Sequence, residues 1–226
     1  MPKNWWKHKI VDDFLDKEDF EFAAQTLEKI IVQGSFQKYL APNKFTTLPE
    51  SKVITTEKTI EKQKSVGVTS ERMLEFQKKY EQKLMDILKE LAPERVKDVE
   101  YMEISFSASV PGYKHFPHLD RPQKLLSVVV YISPEKNVGT VMYLAKPGKS
   151  IKKGGTGKNL LGRRVVPWKP NRAFIFARSS ETWHSWVASP NQKPRATLLF
   201  NLKTDKKSFE DQGDKMMKDS DYEKED

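Results

Sequence analysis

Between Val99 and Leu202 the chain breaks into short runs of β-branched and aromatic residues, YMEISFSASV, KLLSVVVYIS, GTVMYLA, RRVVPW, RAFIFA, TWHSWVA and RATLLFNL, with Gly, Pro and Asn in the gaps. Their length suits strands better than helices, and their number and spacing predict antiparallel strands closing into a sandwich or barrel. The fold class that follows is mainly β with flanking α.

The flanking helices come first. WWKHKIVDDFLDKEDFEFAAQTLEKIIVQG reads as a short strand around Lys9 to Val11 and then a helix. Asp16 caps that helix, Asp19 occupies its third position, and Phe20, Ala23, Leu27, Ile30 and Ile31 recur at helical spacing up to Gly34. A second helix, from about Ser70 to Leu91, gathers Met73, Gln77, Tyr80, Leu84, Ile87, Leu88 and Leu91 on one face and stops at Pro93. The segment 35–68 is polar and rich in Thr and Lys with no sustained period, which predicts a long, partly ordered loop. Residues 204–226 are nearly all charged or polar and predict a flexible tail. The expected organisation is one domain over 1–203, helical in 1–98 and β in 99–203, because 226 residues suit one substantial core better than two.

Composition narrows the chemistry. With zero Cys there are no disulfides, thiolate metal sites or Cys nucleophiles, so any metal must be held by His, Asp or Glu. The net charge of +9 suits a polyanionic partner, but the lysines are spread over the helices, the loop 146–164 and the tail, so most of it reads as solvated surface. Nucleic acid is therefore a minor alternative. No stretch approaches the roughly 18 apolar residues of a membrane span and the N-terminus lacks a secretory hydrophobic segment, so the expectation is a cytoplasmic protein with no membrane partner. GGTGKN superficially resembles a phosphate loop, but Lys152 stands where the first glycine is needed and Asn159 where Ser or Thr is. Nucleotide hydrolysis is rejected.

Four histidines are available, and two lie in KHFPHLDRP. On a strand His118 and Asp120 project to one face with Leu119 opposite, which supplies an imidazole and a carboxylate side by side. His184 in SSETWHSWVASP is the candidate third ligand, with His8 and His115 its only competitors. Two histidines and one carboxylate cover one face of an octahedron and leave three positions open, an arrangement associated with Fe(II) oxygenases. If a dicarboxylic acid fills two of them, its far carboxylate needs a fixed cation. Arg195, eleven residues after His184, offers a bidentate fork, and Thr197 projects from the same strand face.

His-x-Asp, a later His and an Arg followed by a hydroxyl residue together resemble the 2-oxoglutarate/Fe(II)-dependent dioxygenases, specifically the prolyl-4-hydroxylase-like branch. The likeness covers most of 99–202 and, more loosely, 8–33 through KIVDDFLDKEDFEFAAQTL. It implies a double-stranded β-helix, or jelly roll, with His118, Asp120 and His184 as iron ligands. Arg195 and Thr197 then hold the distal carboxylate of 2-oxoglutarate, and Tyr131 aligns with a tyrosine that bonds the same group in some relatives. The implied reaction consumes O2 and 2-oxoglutarate, releases succinate and carbon dioxide, and hydroxylates an unactivated C–H bond; ascorbate fits as an optional reductant. The implied substrate is a prolyl residue of a peptide or a small amino-acid-like molecule.

The sequence departs from the family at several positions. Ser109 stands where many relatives carry a tyrosine, His115 replaces a second one with Tyr113 nearby as a substitute, and the usual double glycine is Val138-Gly139. His115 lies an odd number of residues before His118, so a regular strand turns it away from the metal, towards a surface or pocket-lining role. Trp183 and Trp186 flank His184 as entrance or packing residues, and Arg178 and the Gly-rich basic loop 146–164 read equally as a lid or a solvated hairpin. Two other functions stay open: a cupin-type metal enzyme that uses no oxoacid, and a basic binding protein that keeps only the barrel.

Overall fold

The computed structural model describes residues 5–32, 44–47, 53–54, 67–146, 149, 151, 158–190 and 193–205. In chain order the elements are β1 (Lys9–Val11), α1 (Lys17–Val32), β2 (Lys44–Thr47), β3 (Val53–Ile54), α2 (Ser70–Leu91) and a 3-10 turn (Pro93–Asp98). There follow β4 (Tyr101–Ser109), β5 (Lys114–His118), β6 (Lys124–Ser133), β7 (Val141–Ala145), β8 (Leu160–Val165), β9 (Ala173–Ala177), β10 (His184–Val187) and β11 (Arg195–Lys203). They form a seven-stranded sheet in the order β1-β9-β6-β11-β4-β2-β3 and a four-stranded sheet in the order β5-β10-β7-β8. Every pairing is antiparallel, and the architecture is the jelly roll that the family resemblance implied.

Alternation along the central strands of the large sheet separates two environments. From β11, Ala196, Leu198, Phe200 and Leu202 turn outward into a core shared with the helices, together with Met102, Ile104, Phe106, Val128, Val130 and Ile175. The helices meet them with Ala23, Leu27 and Ile30 from α1 and Met73, Phe76, Tyr80, Leu84 and Leu88 from α2. Phe200 touches the rings of Phe14, Phe76 and Tyr80, with centroids 6.1, 6.3 and 5.5 Å away. Each large side chain removed from water here contributes about 1.5–3 kcal/mol, which makes the helix layer a main source of stability. The opposite face of the sheet carries Glu103, Ser105, Ser107 and Ser109 on β4 and Arg195, Thr197 and Asn201 on β11, all buried.

The helix starts behave as expected. Asp16 Oδ1 accepts from the Asp19 amide at 3.0 Å, and Thr69 Oγ1 accepts from the Arg72 amide at 3.2 Å. Asp19 does more than sit near a helix terminus. Its buried carboxylate pairs with Arg72 at 2.8 Å and accepts from the Tyr80 hydroxyl at 2.7 Å, locking α1 to α2. Gly139 is required by close approach, since a Cβ there would lie 1.7 Å from the Val166 carbonyl oxygen.

The expectation of a loop over 35–68 needs correcting. β2 and β3 lie inside it, and β2 pairs with β4 in the register Lys44↔Ser105 to Thr47↔Met102. Without them β4 would present an open row of backbone donors and acceptors, so pairing overrides the weak local signal. The rest of that segment, all but the start of the predicted tail, Gly34 and most of the basic loop 146–164 lie outside the described residues. None of the described helices is long and apolar enough to cross a membrane.

Candidate active site

β5 and β10 pair with His118 directly opposite His184, and Asp120 follows just beyond the end of β5. One ligand atom from each of the three side chains lies within 4.8 Å of the others. Each imidazole is oriented by its own chain: His118 Nδ1 donates to the Phe116 carbonyl and His184 Nδ1 to the Thr182 carbonyl, both at 2.9 Å. A carbonyl only accepts, so Nδ1 carries the proton and Nε2 keeps its lone pair, the form a metal needs. Burial lowers both imidazole pKa values, so the rings are neutral at neutral pH.

Asp120 is held just as firmly. Ser127 Oγ donates to Oδ2 at 2.6 Å, Lys124 Nζ to Oδ1 at 2.9 Å, and the buried Arg178 donates through Nε to its backbone carbonyl at 3.1 Å. Burial pushes the carboxyl up, but the Lys124 ammonium, by its charge and its hydrogen bond, holds the group below the ordinary carboxylate range. Two neutral imidazoles, that of His184 buried and that of His118 half-buried, and one ionised carboxylate are a suitable donor set for a divalent transition metal. Ser127 and Lys124 were not singled out from the sequence; a serine midway along the apolar run KLLSVVVYIS was the available signal.

His115 overturns the expectation that it faces away. The register passes from His118↔His184 to His115↔Trp186, three residues on β5 against two on β10. This is a β-bulge, and it falls at Phe116-Pro117, where proline has no amide hydrogen to give the ladder. The extra residue reverses the parity and turns His115 to the metal side. Its ring stacks on Trp186 at 4.0 Å and 17° and meets His118 edge-on at 4.2 Å. Burial lowers its pKa to about 4. Tyr113 sits beside it, its hydroxyl 3.3 Å from His115 Nδ1.

Arg195 enters from the facing sheet. Its guanidinium carbon is 5.6, 5.2 and 5.6 Å from the ring centroids of Tyr131, Trp168 and Trp186, three sides of an aromatic box. Trp168 stacks on Tyr131 at 4.5 Å and 15°. The side chain is 4% exposed, its Nε has no hydrogen-bond partner, and no carboxylate of the described residues pairs with it. Burial without a counter-ion lowers its pKa to about 10. Ser109, where a tyrosine was expected, is the Cα partner of Arg195, and Thr197 lies buried in register with Tyr131 and Ser107. The Tyr131 hydroxyl is already engaged: it donates to Thr140 Oγ1 at 3.0 Å and accepts from the Thr140 amide at 2.9 Å. The two tryptophans beside His184 separate, since Trp183 is buried with Val141, Tyr143 and Ile151 as core while Trp186 shares the His184 face.

A double-stranded β-helix with a metal-competent triad on one sheet and an uncompensated buried cation on the other defines the class of site. The sequence matches no protein-family model and no curated protein. Its structure is similar to a prolyl-4-hydroxylase from Pseudomonas putida, with a TM-score of 0.55 at 13% identity over 88% of this chain and 93% of that one. It is also similar to the dioxygenase for auxin oxidation 1 from Arabidopsis thaliana, in binary complex with 2-oxoglutarate, with a TM-score of 0.56 at 10% identity over 89% of this chain and 84% of that one. The chain thus has the jelly-roll fold of the 2-oxoglutarate oxygenases.

Proposed function

We propose that the protein is an Fe(II)- and 2-oxoglutarate-dependent oxygenase. It hydroxylates an unactivated C–H bond of a prolyl residue in a peptide or of a related amino-acid-like substrate, with succinate and carbon dioxide as coproducts. The observation that carries this reading is Arg195: a buried guanidinium without a counter-ion, across the barrel from the triad, calls for an anion that reaches both.

In this reading His118, Asp120 and His184 hold iron from one side and leave the other open. Bound iron supplies dioxygen activation coupled to oxidative decarboxylation of the oxoacid. Arg195, with Thr197 beside it, anchors the distal carboxylate and so fixes the distance between cosubstrate and metal. Ser127 and Lys124 keep Asp120 ionised and oriented, and the carbonyls of Phe116 and Thr182 keep both imidazoles in the ligating tautomer. Trp6, Met142, Phe174 and Phe176 form an apolar wall, with Phe176 4.8 Å from His184, which excludes water from the reacting atoms.

The test begins with anaerobic titration of Fe(II) and 2-oxoglutarate, followed by a screen of prolyl peptides and free amino acids for a mass gain of one oxygen. His118→Ala, Asp120→Ala and His184→Ala should each lose Fe(II)-dependent succinate production. Normal turnover in any of them removes that residue from the ligand set. Metal uptake without 2-oxoglutarate binding would point instead to a cupin-type enzyme that uses no oxoacid.

A further inference from the structure

Two buried N–H groups in the barrel interior have no partner: Nε of Arg195 and Nε1 of Trp186. Their side chains come from opposite sheets and lie against each other, with the guanidinium carbon 5.6 Å from the Trp186 ring centroid. Trp186 lies two residues after His184 on β10, so the indole shares the inward face of a candidate ligand. It is also fixed in place. His115 stacks on it, and His115 reaches that position only because the bulge at Phe116-Pro117 turns it inward. A buried N–H left unpaired is destabilising, so an indole clamped in that state marks a place where an acceptor belongs. The Tyr131 hydroxyl has one hydrogen and already donates it to Thr140 Oγ1, so it cannot fill the role without giving up that bond.

We propose that Trp186 is a positioning residue for the oxoacid: its indole N–H donates a hydrogen bond to the carboxylate that Arg195 pairs. The inference rests on the 2-oxoglutarate reading above and deepens it. It also gives His115 a role, since the imidazole sets the indole plane and neither titrates nor ligates for this purpose.

The experiment compares the full chain with Trp186→Phe, which keeps a ring against His115 and Arg195 but has no donor. Both are loaded with Mn(II), and binding of 2-oxoglutarate is measured by calorimetry alongside 2-oxopentanoate, which has the same chain length without the distal carboxylate. The variant should bind 2-oxoglutarate roughly tenfold more weakly, the scale of one hydrogen bond to a charged group. Its affinity for 2-oxopentanoate and for Mn(II) should match wild type, and its thermal midpoint without oxoacid should be no lower. Equal 2-oxoglutarate affinity in the two proteins overturns the proposal while leaving the oxygenase reading standing. An equal loss for both acids also overturns it, because it shows a general packing role. If the wild type itself binds no 2-oxoglutarate, the oxygenase reading fails and this proposal with it.

Discussion

The two ends of the barrel interior are built in opposite ways. At the triad end, His118, Asp120 and His184 are each held by hydrogen bonds from their own chain, and the carboxylate has an ammonium beside it. At the Arg195 end the cation is buried among three rings, and both it and the neighbouring indole have an unsatisfied N–H. The difference teaches what each end does. A metal site gains by rigid, pre-set ligands, whereas an anion site built to hold a replaceable cosubstrate tolerates an unpaired charge that the incoming carboxylate satisfies. On the proposed function, the first end has its ligand atoms already set and the second is completed by the oxoacid.

The contrast is broken most directly by removing the charge at each end. Arg195→Met should raise the stability of the ligand-free protein by about 1–4 kcal/mol, because a buried uncompensated cation gives way to apolar packing. The same variant should lose 2-oxoglutarate binding. Asp120→Leu should do the reverse and destabilise the ligand-free protein by about 2 kcal/mol, since it strands Lys124 and Ser127 without their acceptor. Chemical denaturation of both variants without metal checks the signs, and a shift in the same direction would erase the distinction between the ends.

A smaller effect sharpens it. Ser127→Ala should weaken Fe(II) or Mn(II) binding about tenfold, the lower end of what outer partners of metal ligands contribute. Its 2-oxopentanoate affinity at saturating metal should stay at the wild-type value. Metal titration followed by calorimetry reads both.

The smallest effect belongs to neither end. Asp12 accepts from Arg172 at 2.6 Å and from Lys169 at 3.1 Å, and these bonds lower its pKa from 3.8 to about 2. A carboxyl whose folded pKa is depressed stabilises the fold above its unfolded value and loses that contribution as pH falls through the folded one. Asp12→Asn should therefore be slightly less stable than wild type above pH 3.8, and the difference should shrink as pH falls and vanish below about pH 2. Metal and oxoacid affinities should not change, which makes this variant the control for the other three.

The residues that converge were largely legible because their spacing follows backbone periodicity. His118 and Asp120 share a face by the two-residue repeat of extended chain, although Asp120 lies just past the end of β5, and Arg195 and Thr197 share one inside a regular strand. The helix faces were legible for the same reason, through Leu27, Ile30, Tyr80 and Leu84. His115 was misread because parity holds only while both strands advance in step, and the bulge that breaks the step is visible only in the pairing of β5 with β10. β2 and β3 were missed because their pairing with β4, rather than any local period, makes them strands.

The sequence by itself determined the strand-rich class, the two helices, and an inventory of donors that without cysteine can only be imidazole and carboxylate. Each of these depends on residue type and on spacings of a few positions, which local sterics and burial fix. Tertiary structure alone decided that Trp168, Trp186 and Tyr131 enclose Arg195 and that Ser127 supports Asp120. It also decided which buried donors stay unpaired. Those facts depend on contacts between strands far apart in the chain, and no period along one strand encodes what faces it across the barrel.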